Sequence, residues 1–170
     1  MPDLAVTAVG ADRPGIVAAV TRALQERGGN LEDSAMTILG GHFAIVLLVA
    51  TDDDPDTLRD AMAAATADLG LTISVSRADR AATSVEPTHL VSVYGSDKPG
   101  IVAQVTGALA DLGANITDLE TQVIGADDPV YAMVIEVVAD DQAALVARLD
   151  EVCTQLGVDH TLRTIEAETY

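Results

Sequence analysis

The chain has 170 residues and a formal net charge of −18; it carries nine Lys plus Arg, 49 % apolar residues and 2 % aromatic residues. So acidic and aromatic-poor a chain argues against direct nucleic-acid binding, which draws its affinity from neutralised phosphates and stacked bases. Cys153 is the one cysteine, which excludes an intrachain disulfide, and no Cys/His spacing fits a zinc site.

The N-terminus lacks a basic stretch followed by an apolar run, and no segment has the apolar length that spans a bilayer. The expectation is a cytoplasmic protein with no membrane contact. Leu4 to Val9 reads as a short apolar strand. Pro14 to Arg27 reads as a helix with Ile16, Val17, Val20 and Leu24 on one stripe. Gly28-Gly29 ends it. Asn30 to Leu39 is a second strand and Gly40-Gly41 a hairpin signal. Phe43 to Val49 is nearly all apolar, as a central strand is. Asp52-Asp53-Asp54-Pro55 breaks the chain and caps a helix that runs to Leu69, stopped by Gly70. Leu71 to Arg77 is a last strand.

The same order then restarts. Leu90 to Tyr94 is a strand, Pro99 to Leu112 a helix and Asn115 to Ile124 a strand. Gly125 to Pro129 is the hairpin and Val130 to Val138 a strand. A helix capped by Asp140 and ended by Gly157 follows, then a strand from Val158 to Ile165. Gly15 and Gly100 stand 85 positions apart, and Val20, Thr21, Leu24, Gly28 and Asn30 recur as Val105, Thr106, Leu109, Gly113 and Asn115. One unit is written twice. Each copy is β-α-β-β-α-β, which right-handed crossovers turn into a four-stranded antiparallel sheet with both helices on one face. The first and third strands fall in the centre and the second and fourth at the edges. The fold class is α+β: two ferredoxin-like βαββαβ units, expected side by side. Residues 1–79 form the first unit, 80–87 a polar linker and 88–170 the second. Open edges and the small size of each unit point to a homodimer.

The most distinctive repeated stretch is Gly10-Ala11-Asp12-Arg13-Pro14-Gly15-Ile16, matched by Gly95-Ser96-Asp97-Lys98-Pro99-Gly100-Ile101. A strand ends in glycine, the chain turns, and Pro suits the first position of a helix. Asp12 and Asp97 can accept from free amides of the first turn. Such a corner favours a carboxylate or a phosphate. An ordinary capped helix start is the competing reading. His42, His89 and His160 are far apart and read as hairpin and surface residues, and Cys153 as a small core residue. Asp52 to Asp54 and Asp127-Asp128 read as solvated turns, since neither has calcium-loop spacing. No nucleophile, paired-carboxylate or metal-ligand pattern marks a catalytic centre. A non-catalytic protein with no metal and no cofactor is expected.

Asp-x-Pro-Gly-Ile-Val, a helix, and then Gly-x-Asn-[Ile/Leu] on this strand order resembles the ACT domain, twice over. A chain of two such domains is similar to the glycine cleavage system transcriptional repressor family. The resemblance implies a regulatory module that binds a small amino acid, glycine or serine, where two such domains meet. It implies a first-strand corner and a second-strand asparagine converging on the ligand. In the first copy those are Gly10, Ala11, Asp12, Arg13, Gly15 and Ile16 with Asn30 and Leu31. In the second they are Gly95, Ser96, Asp97, Lys98, Gly100 and Ile101 with Asn115 and Ile116. Serine-binding members carry Asn in the turn where this chain has Asp, so the ligand stays open. The resemblance also implies a protein partner, which is either a transcription regulator or an amino-acid metabolic enzyme of which this chain is a detached regulatory subunit.

Overall fold

Leu4, Val6 and Ala8 alternate with more exposed neighbours, and that period of two makes the first strand, β1 (Asp3–Ala11), which buries one face only. The computed structural model describes residues 3–78 and 85–165. After β1 come α1 (Ile16–Glu26), β2 (Asn30–Leu39), β3 (His42–Ala50), α2 (Pro55–Ala65), a short 3₁₀ turn at Ala67–Leu69 and β4 (Thr72–Arg77). The second copy gives β5 (His89–Ser96), α3 (Ile101–Asp111), β6 (Asn115–Ile124), β7 (Val130–Val138), α4 (Gln142–Leu156) and β8 (Asp159–Thr164). The chain divides into two compact units, Met1–Thr83 and Ser84–Tyr170. The expected linker, 80–87, falls largely outside the described residues.

Each unit is one antiparallel sheet, ordered β2-β3-β1-β4 in the first and β6-β7-β5-β8 in the second. The first and third strands are central, as the β-α-β-β-α-β order requires. Both helices cover one face. Ile16, Val20, Leu24, Leu58 and Met62 meet Leu4, Val6, Phe43, Ile45 and Leu47 in the first core. Ile101, Val105, Leu109, Leu145 and Leu149 meet Val91, Val93, Met133, Ile135 and Val137 in the second. Removing this apolar surface from water holds each unit together. Cys153 is buried in the second core, and burial pushes its thiol pKa up. Among the described residues no helix is long and apolar enough to cross a membrane.

Several details differ from the sequence reading. Helix α2 stops at Ala65 because the Thr66 hydroxyl donates to Met62 O at 2.8 Å and tightens the chain into the 3₁₀ turn. The cap of α4 is Asp141 rather than Asp140, and its carboxylate accepts from the Ala144 amide at 3.0 Å. Leu112 lies beyond the end of α3 and is 41 % exposed, while Ala108 takes the inward position. His89 is a core-side residue, 5 % exposed, because it opens β5 on the buried face. Its Nδ1 lies 2.7 Å from the Thr88 hydroxyl. His160 is half-buried and sits 3.3 Å from an Asp150 carboxylate oxygen. Strands β2 and β6 each carry an extra residue against the neighbouring strand, Glu32 and Thr117. These bulges fall at the same place in both copies.

Candidate functional site

The corner begins where β1 and β5 end. A side chain at Gly10 would place its Cβ 2.8 Å from Leu71 Cδ2, and one at Gly95 would place it 2.6 Å from Val158 Cγ1. These two glycines are therefore required by close approach. The turn itself is made further on. Gly15 and Gly100 have φ of 93° and 94°, in the left-handed region open to glycine. They are the N-caps of α1 and α3, so Pro14 and Pro99 precede the cap and do not open the helix.

The expected carboxylate cap is absent. No side chain caps α1 or α3, because the cap residue is a glycine with no oxygen to offer. Asp12 and Asp97 lie three residues earlier, and both are exposed. The Asp12 amide donates to Gly41 O at 2.9 Å, which ties the first corner to the β2–β3 hairpin. Helices α2 and α4 are by contrast capped by Asp54 and Asp141. The first turns of α1 and α3 thus present amide donors with no side-chain cap bonded to them, at the positive end of an 11-residue helix. An anion is favoured there. Ala11, Arg13, Ser96 and Lys98 are exposed around the turn, and Ile16 and Ile101 anchor it as buried first helical residues. The Tyr94 hydroxyl lies 2.9 Å from that of Thr161 on the neighbouring strand.

The asparagines lie elsewhere. Asn30 pairs with Ala50, which also pairs with Asp3 at the start of β1, whereas Ala11 and Leu39 pair with His42 at the other end. Asn115 likewise pairs with Val138 beside the start of β5. Corner and asparagine of one unit are separated by the length of a nine-residue strand, roughly 25 Å at the usual rise. The expectation that they converge within one unit is corrected. The crossover helix returns the chain to the starting end of the sheet before the next strand begins. Leu31 is 41 % exposed, and Ile116 is half-buried against the second core.

The two asparagine ends are not alike. In the first unit Arg27 closes the end of α1 by a paired contact to Asp53, at 2.8 and 2.9 Å, and this carboxylate holds its pKa up. In the second unit Leu112 stands where Arg27 would, and Asp140 where Asp53 would. A cavity of about 470 Å³ opens there, lined by Asp111, Leu112, Gly113, Asn115, Asp140 and Asp141 among others. Arg148 bridges Asp111 and Glu151 at its side. Sequence reasoning singled out Asn115 but missed its acidic neighbours. The signal was available in the repeat, where a cation in one copy becomes a leucine in the other. Among the described residues, no group of three or more His, Cys, Asp or Glu side chains could hold a metal ion.

Two sheet-and-helix units of this order, each with a glycine-capped corner, define a tandem α+β module of the ferredoxin-like class. The pattern of the ACT domain matches residues 3–76 and again 88–163, and the chain belongs to the ACT domain family. It is 28 % identical over 170 residues to the glycine cleavage system transcriptional repressor of Escherichia coli (strain K12), across 95 % of this chain and 90 % of that protein. A UPF0237 protein of Methanopyrus kandleri is 40 % identical over 77 residues, 44 % of this chain and 86 % of that one. Among solved structures, an unknown protein from Galdieria sulphuraria superposes with a TM-score of 0.84 at 32 % identity, covering 97 % of this chain and 99 % of that one.

Proposed function

We propose that this is a non-catalytic sensor of a small amino acid, glycine or serine, that acts in the cytoplasm on gene control through a protein partner. The observation that carries the reading is the duplicated corner: two helices that start at a left-handed glycine with no side-chain cap, in a fold where the other two helices are capped by aspartate. A zwitterion complements such a place. Helix-start amides take its carboxylate, and carboxylate or amide oxygens take its ammonium.

Corner and asparagine lie at opposite ends of a sheet, so a site using both takes them from two units. All ten residues of β2 are exposed, with Met36, Ile38 and Leu39 50, 51 and 78 % accessible. An open apolar edge of this kind invites pairing. If two equivalent edges pair about a two-fold axis, the asparagine end of one sheet meets the corner end of the other. This supports a homodimer, with the ligand bound where a unit of one chain meets a unit of another. The Asn115 cavity, with carboxylates on its wall, suits the ammonium side of a ligand. The chain's likeness to a transcriptional repressor supports action on transcription. A charge of −18 favours a DNA-binding protein as partner over DNA itself. Binding can switch the partner only through different affinity for two arrangements of the units.

The test is a thermal titration with the twenty amino acids. One present at 100 times its Kd should add about 2.7 kcal/mol to stability, and no shift with any of them ends the sensor reading. Capture from lysate should retain a transcription regulator. A metabolic enzyme in its place would make the chain a detached regulatory subunit.

A further inference from the structure

Arg13 and Lys98 hold the same place in the two corners, and the structure gives each the same destination. Arg13 Nη1 donates to Asp68 O and Lys98 Nζ to Leu156 O, both at 3.3 Å. The Leu156 carbonyl belongs to the last turn of α4, and the Asp68 carbonyl to the 3₁₀ turn that follows α2. Each ends at a left-handed glycine, Gly157 or Gly70. The end of a helical turn leaves carbonyls without intrahelical donors, so a donor is favoured at both places, and at the end of α4 the negative pole favours a cation. At the start of α1 or α3 the same cation would face a positive pole.

A second contact joins the same two places. Gly10 lies against Leu71 and Gly95 against Val158, the residues that follow Gly70 and Gly157, with no room for a Cβ. Corner and helix end are therefore held twice, by a close backbone approach and by a cation three residues later. The pairing recurs in both copies with side chains of different shape.

We infer that Arg13 and Lys98 are positioning residues and not ligand contacts: each fastens its corner to the helical turn that ends at Gly70 or Gly157. A displacement of the corner is then delivered to that turn and to the edge strand after it, β4 or β8. This consequence rests on the reading of the corner as the amino-acid site, whereas the fastening does not.

Amide exchange by NMR on the full chain separates the two. The Gly157 and Val158 amides donate to Thr154 O and Cys153 O at 3.2 and 3.0 Å. In Lys98→Met their exchange should quicken about fivefold, as expected for losing one hydrogen bond. Lys98→Arg should restore it, and Gly70 and Leu71 should not respond. Arg13→Met should do the converse. Unchanged exchange at both helix ends overturns the fastening. Glycine is then titrated as the probe. In the wild type, shifts at Ser96 to Ile101 should be accompanied by shifts at Gly157 and Val158, and in Lys98→Met the corner should shift alone. Shifts at both places in Lys98→Met overturn the coupling. So does loss of glycine binding in Lys98→Met with exchange unchanged, since that marks a direct contact. If glycine moves no corner amide in the wild type, the amino-acid reading loses glycine, and the exchange result still decides the fastening.

Discussion

Helices α2 and α4 begin at aspartates whose carboxylates accept from first-turn amides, and α1 and α3 begin at left-handed glycines with no side-chain cap. The four helices share one acidic chain with aspartate to spare, so the difference is one of position. Where a helix only has to start, a carboxylate satisfies its donors. Where the chain leaves a central strand, the donors stay available, and the geometry that exposes them is fixed by glycine at two points. A capped start has its amides satisfied, and an uncapped one leaves them where an anion is favoured.

The largest change to this contrast should come from Gly95→Ala. Its Cβ would lie 2.6 Å from Val158 Cγ1, 3.0 Å from Val158 Cβ and 3.3 Å from Val158 Cα. Val158 is buried, and its Cα and Cβ cannot swing aside. Overpacking of this kind costs about 1–3 kcal/mol. Urea unfolding should show it, and Gly10→Ala should lose less, because its nearest neighbour is the end of the Leu71 side chain, at 2.8 Å. Equal losses would mean that the two corners are braced alike.

Gly100→Ala tests the turn without a clash, since only Gln104 Nε2 comes within 4 Å, at 3.6 Å. The left-handed backbone should cost about 1–2 kcal/mol, and any thermal shift given by an amino acid should fall with it. Unaltered stability and an unaltered ligand shift together would remove the turn from the site.

How much of this was legible depends on which physics the sequence carries. Element order, the central and edge strands and the limits of β2, β6 and β7 follow from hydrophobic period and turn residues, which are local. The corner was found because it is repeated. Its mechanism was misread: Gly15 makes the turn, and Gly10 is a packing residue, a task that depends on the approach of Leu71, some 60 residues away. The aspartate cap was misplaced by one residue at Asp141, because Asp140 stands beside it, and wrongly assigned at Asp12 and Asp97, because the residue at each of those caps is a left-handed glycine. The separation of Asn30 from Gly15 was implicit in the strand order, since β1 and β2 both run antiparallel to β3. The Asn115 cavity follows from Leu112 replacing a cation, a difference visible only when the copies are aligned.

Asp141→Ala removes a cap whose partner is the Ala144 amide. It should cost about 1 kcal/mol and leave the amino-acid response of the Gly95–Ile101 corner unchanged. Loss of that response would mean that capped and uncapped starts are not independent. Gly107→Ala should act in the opposite sense to Gly100→Ala on the same helix. Gly107 lies inside α3 with nothing within 4 Å of an added Cβ, so stability should rise by about 0.5–1 kcal/mol. A loss would show that this part of α3 is covered in solution.

The smallest effect, and the one that isolates a capped start, is the acid response of Asp54. Its carboxylate accepts from the Thr57 hydroxyl, the Thr57 amide and the Asp56 amide. Those donors, the Thr57 hydroxyl first, hold its pKa below the ordinary 3.8. Because the folded value is depressed, the contribution to stability is present above the unfolded value, about 3.9. It is lost as pH falls through the folded value. Asp54→Asn keeps an acceptor at the cap and cannot titrate. Between about pH 5 and pH 3 the wild type should therefore lose slightly more melting temperature than the variant does. Acid also relieves the repulsion of a chain at −18, but that relief is nearly common to both proteins and largely cancels in the difference. Parallel curves would mean that Thr57 does not hold the carboxylate in solution, and α2 would then join α1 as a helix whose first turn is open.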